Sequence, residues 1–62
     1  MEKNYYKINF TRLKNGEKTY GFVRAWSAET AKQLIVQEMQ GNIEITNCVQ
    51  VTKEEYKKAM GL

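Results

Sequence analysis

The sequence predicts an α+β fold in the order ββαβα. It is a three-stranded, mostly antiparallel sheet with one helix packed on one face and a short C-terminal helix. Three observations carry this. Two strand-like segments flank Asn15-Gly16, a helical stripe between Ser27 and Gly41 has both ends marked, and an alternating segment, Ile43 to Val51, runs into a capping signal at Thr52. With 62 residues and no repeat, linker or composition shift, the chain reads as one small domain, residues 1 to 62.

The hairpin comes first. Tyr5-Tyr6-Lys7-Ile8-Asn9-Phe10-Thr11-Arg12-Leu13 alternates imperfectly, and Thr19-Tyr20-Gly21-Phe22-Val23-Arg24-Ala25-Trp26 is rich in aromatic and β-branched residues. Asn15-Gly16 between them is the pair that a type I′ turn demands, since both central residues take positive φ. That turn sets Lys14 opposite Glu17. One face then pairs Tyr6 with Ala25, Ile8 with Val23 and Phe10 with Gly21, and it reads as the core. The other face pairs Tyr5 with Trp26, Lys7 with Arg24, Asn9 with Phe22 and Thr11 with Tyr20.

Ser27 is a helix N-cap, Glu29 lies at the positive end of the dipole, and Gly41 stands where a helix stops. Ala28, Ala31, Ile35 and Met39 share one stripe, widened by Leu34. The segment Ile43-Glu44-Ile45-Thr46-Asn47-Cys48-Val49-Gln50-Val51 alternates as a third strand, isoleucines and valines inward and Cys48 outward. Asn47 falls on the apolar side of that pattern, which points to a bulge or a strand start. Thr52 and Glu55 form a capping box opening a short helix with Tyr56, Ala59 and Met60 inward. The third strand fits beside the first or the second. Spatial order 3-1-2 is favoured, because it centres the Ile8/Phe10 strand and makes most pairings antiparallel.

Composition excludes much chemistry. The chain has no His, no Asp and no Pro, one Ser (Ser27) and one Cys (Cys48). A Ser-His-Asp or Cys-His arrangement cannot be assembled from it, nor a His/Cys zinc site within one chain. Cys48 lacks a His to activate it and reads as an ordinary strand thiol. The carboxylates Glu44, Glu54 and Glu55 are not gathered by any motif. No enzyme activity, cofactor or metal is expected. The longest apolar run is Leu34-Ile35-Val36, so neither a membrane span nor a signal-peptide core is expected, and the expected compartment is the cytoplasm. A composition rich in Lys, Asn, Ile and Glu would be at home in a bacteriophage or mobile element.

The aromatics supply the functional signal. Six of the seven lie between Tyr5 and Trp26, and the hairpin's second face gathers Tyr5, Lys7, Tyr20, Phe22, Arg24 and Trp26. Trp, Tyr and Arg are the preferred anchors of protein interfaces. Aromatics interleaved with cations also suit stacking on unpaired bases beside phosphates. The bland alternatives are burial under the last helix, burial in a homodimer, or a register shift that turns the face inward. The net charge of +3 is too mild to single out a duplex binder. The sequence favours a non-enzymatic binding module acting through this face on a protein partner or on itself as a homodimer. Single-stranded nucleic acid is the alternative ligand, and no membrane partner is expected.

Overall fold

The structure is a computed structural model and describes residues 3 to 61. Its elements are β1 (Asn4–Arg12), β2 (Lys18–Ala25), α1 (Ala28–Glu38), β3 (Ile43–Val51) and α2 (Lys53–Met60). The fold is α+β, and the sheet order is β2-β1-β3 with both pairings antiparallel. The Ile8/Phe10 strand is therefore central, as the patterning predicts.

The hairpin register differs from the expected one by two residues. Asn4 faces Ala25, Tyr6 faces Val23, Ile8 faces Gly21 and Phe10 faces Thr19. Asn15 does not enter the left-handed region; only Gly16 does, at φ 71°. The connection is a four-residue loop instead of a type I′ turn. The Arg12 N–H donates to the Glu17 carbonyl at 2.8 Å, and the Gly16 N–H donates to the Arg12 carbonyl at 2.8 Å. Asn15 serves through its side chain, whose Oδ1 accepts from the Glu17 N–H at 3.0 Å. Arg12 thus replaces Lys14 as the partner of Glu17, with Nε 3.6 Å from Oε1. A shift of two preserves every side chain's face, because strand periodicity is two. Only the cross-strand partners change.

Strand β3 carries the bulge that Asn47 suggested. Asn9 pairs with Asn47 while Phe10 pairs with Ile45, which leaves Thr46 as the extra residue. Its hydroxyl donates to the Asn9 carbonyl at 3.1 Å. The extra residue inverts the alternation. Ile43 and Ile45 face α1, but beyond the bulge Cys48, opposite Ile8, takes that face. Val49 and Val51, paired with Lys7 and Tyr5, are turned to the other side. The expectation of inward valines and an outward Cys48 is therefore corrected by one bulged residue.

The core lies between β1 and α1: Tyr6, Ile8, Phe10, Ala25, Ala31, Ile35 and Ile43. Ile8 is 0% exposed, and full burial of such a side chain contributes about 1.5–3 kcal/mol. Gly21 makes the close approach of α1 possible. A Cβ there would lie 3.0 Å from Ile35 Cδ1 and 3.7 Å from Phe10 Cε1. Phe10 reaches the glycine diagonally, not from the directly opposed position. Ser27 caps α1 by accepting from the Thr30 N–H at 3.2 Å. Val36, not Leu34, widens the buried stripe, and Leu34 stays 43% exposed. The helix ends through two consecutive left-handed residues, Gln40 (φ 56°) and Gly41 (φ 76°).

In α2 the Thr52 hydroxyl oxygen accepts from the Glu55 N–H at 3.2 Å, and Gly61 takes the left-handed exit at φ 76°. Of its predicted inner residues only Tyr56 is half-buried. Ala59 is exposed and Met60 is 52% exposed. This helix of two turns packs on the sheet through one large side chain, not three.

Candidate functional site

The sheet face opposite α1 collects Tyr5, Lys7, Asn9 and Thr11 from β1 with Lys18, Tyr20, Phe22 and Arg24 from β2, since directly paired residues share a face. From β3 it receives Val49, Val51 and, opposite Thr11, Glu44. Five of the six predicted site residues therefore share one face. The sixth, Trp26, lies one residue past the end of β2, where the chain turns into α1.

The face divides in two. At one end Tyr56 descends from α2 onto Tyr5, with ring centroids 4.7 Å apart, and meets Phe22 edge-on at 6.5 Å. Tyr5 and Phe22 are half-buried there, so the burial-under-the-last-helix alternative holds for this pair. At the other end Tyr20 remains 57% exposed, edge-on to Phe22 at 5.8 Å. Lys7 Nζ lies over the Tyr20 ring at 4.6 Å, and the Arg24 guanidinium carbon lies 6.0 Å from the Tyr5 centroid. Trp26, 56% exposed, carries Lys3 Nζ at 5.4 Å. At exposed positions such cation–π contacts contribute about 0.5–1 kcal/mol each. They order the long cationic side chains along the face.

Two sheet edges bound this surface, and they differ. In an antiparallel ladder hydrogen-bonded pairs alternate with non-bonded ones. The Arg12–Glu17 bond makes Phe10/Thr19, Ile8/Gly21 and Tyr6/Val23 the bonded pairs. The backbone N–H and C=O groups of Lys18, Tyr20, Phe22 and Arg24 consequently point outward from β2. On the β3 side the Leu13 N–H donates to the Asn42 carbonyl at 3.0 Å, so there the outward groups belong to Ile43, Ile45, Cys48 and Gln50. Asn47 Oδ1 already accepts from the Cys48 N–H at 2.9 Å, beside the bulge. The β3 edge is interrupted; the β2 edge has no bulge and is uncovered by the described residues.

A groove follows the β2 edge, lined by Phe22, Val23, Arg24, Leu34, Glu38 and Tyr56. Leu34, Val23 and Tyr56 were not among the predicted site residues. The signal for Leu34 was present in its place one residue from Ile35, at the margin of the helix stripe. That of Tyr56 was hidden, because nothing local says which face a short terminal helix covers.

Among the described residues no group of three His, Cys, Asp or Glu side chains could hold a metal ion, and no helix is long and apolar enough to cross a membrane. Compared with known proteins, the chain matches no family, no curated protein and no solved structure.

Proposed function

We propose that this chain is a non-enzymatic, cytoplasmic binding module whose ligand is protein, docked along the outer edge of β2 between Tyr20 and Trp26. One observation carries the reading. Two large aromatic side chains, each more than half exposed, flank a strand edge whose outward backbone donors and acceptors have no partner among the described residues. Strand addition supplies affinity through the main chain, and side chains at alternate positions supply specificity. Tyr, Trp and Arg beside the edge are suitable anchors. Single-stranded nucleic acid is less well served, since a stacking platform needs neighbouring rings with free faces. Here Tyr5 and Phe22 pack against Tyr56, and Lys7 lies over Tyr20.

The test is selection from a displayed random-peptide library against the wild type and against the Tyr20→Ser/Trp26→Ser variant, with a parallel titration of single-stranded oligonucleotides. Peptides that bind the wild type and lose binding to the variant are the expected result. No selected peptide, together with oligonucleotide binding that weakens steeply with salt and is lost in the variant, overturns the protein reading in favour of nucleic acid.

A further inference from the structure

We propose that the occupant of the β2 edge is a second copy of this chain, added antiparallel about a two-fold axis at Phe22 to form a continuous six-stranded sheet. The inference rests on the protein-contact reading above and specifies its partner. It starts from the asymmetry of the two edges. At β3 the Thr46 bulge bends the strand and the Asn47 side chain occupies the outward Cys48 N–H. At β2 no described residue does, although an edge strand is ordinarily blunted in some way. Among the described residues its protection is charge, Lys18 and Arg24 at either end.

That charge pattern selects both the partner and the register. Outward-pointing residues of one copy must pair with outward-pointing residues of the other, which restricts the two-fold to a few positions. An axis at Gly21 sets Lys18 against Arg24 of the second copy twice, and like charges directly opposed are unfavourable. An axis at Phe22 removes the conflict. It sets Tyr20 against Arg24 of the second copy and brings Lys18 level with that copy's Trp26. Reflected about Phe22, cations and aromatics exchange places, so the strand is complementary to itself. The same chemistry already operates inside one chain, where Lys7 lies over Tyr20 and Arg24 over Tyr5. On the α1 side of the sheet the axis sets Val23 against the bare Gly21 of the other copy. The groove beside it, with its exposed Leu34, is then covered.

The experiment is sedimentation equilibrium over a concentration series, with far-UV circular dichroism to confirm that each variant is folded. The wild type is expected to approach twice the chain mass as concentration rises. Tyr20→Pro removes an outward N–H and the ring opposite Arg24 of the second copy while sparing the β1–β2 ladder, and should leave a monomer, whereas Gln50→Pro on the β3 edge should still dimerise. Tyr20→Lys faces Arg24 of the second copy at two symmetric places and should weaken association by about tenfold or more. Adding Arg24→Glu to Tyr20→Lys should restore it. A wild type that stays monomeric at every concentration overturns the inference. So does loss of the dimer in Gln50→Pro but not Tyr20→Pro, or a double variant that fails to recover. A monomeric wild type that still selects edge-binding peptides refutes only the second copy. A monomer that selects none removes the protein reading with it.

Discussion

The two faces of the sheet are built from the same three strands and yet are closed to very different degrees. Against α1 the sheet presents Tyr6, Ile8, Phe10 and Ala25, and the helix answers with Ala31 and Ile35; all are buried. Against α2 it presents Tyr5 and Phe22, and the helix answers with Tyr56 alone. The difference is one of approach distance and length. Ala28, Ala31 and Gly21 let α1 settle close, and its eleven residues reach all three strands. The eight residues of α2 begin one residue past β3 and meet Tyr5 and Phe22 through one aromatic, Tyr56. A sheet face is closed by small residues at the contact and by helix length; large apolar side chains alone leave it partly open.

Variants can break or sharpen that comparison. Ile35→Ala empties the centre of the closed face and is expected to cost about 2–5 kcal/mol in denaturant unfolding. A loss no larger than that of exposed Gln37→Ala would mean that α1 does not carry the core. Gly21→Val attacks the close approach, because the added branch meets Ile35 Cδ1 at a site where even a Cβ lies 3.0 Å away. About 1–3 kcal/mol of destabilisation is expected, with part recovered in Gly21→Val/Ile35→Ala. Additive effects of the two changes would show that the contact does not limit the packing. On the open face Tyr56→Ala removes the only aromatic of α2 and should cost about 1–2 kcal/mol. It should also raise the proteolytic sensitivity of α2 while the α1 core remains protected from hydrogen exchange; equal loss of protection on both faces would dissolve the distinction. The smallest effect is expected at the end of α1, where Gln40 occupies the left-handed region that glycine enters freely. Gln40→Gly should be neutral or stabilising by under about 1 kcal/mol in thermal unfolding. A clear loss would mean that the Gln40 side chain holds the turn into β3.

The elements and their order were legible because their signals are local. Ser27 and Thr52 cap the helices that follow them, and Gly61 ends α2 in the left-handed conformation that glycine permits. Asn47 marked a bulge because an amide on the apolar side of a strand pattern has to be explained by a break in that pattern. The membership of the aromatic face was legible for the same reason: with a period of two, even a register error of two residues leaves Tyr5, Lys7, Tyr20, Phe22 and Arg24 together. Trp26 falls just beyond β2, because strand propensity does not report where a strand stops. Cys48, Val49 and Val51 take the sides opposite to the simple alternation because the extra residue, Thr46, inverts every position after it.

What the sequence determined by itself, then, is the set of elements, the sides of the hairpin and the chemistry available to its surface, all of which follow from residues within a turn or two of one another. What only the tertiary structure decided is which of those surfaces are spent inside the molecule. Tyr5 and Phe22 are covered by a ring more than thirty residues further on, Leu34 is left exposed while Ile35 beside it is buried, and one strand edge is blocked while the other is bare. The physical reason is that burial depends on distances between segments remote in sequence. The pleat and the helical turn fix where a side chain points, but not what comes to meet it.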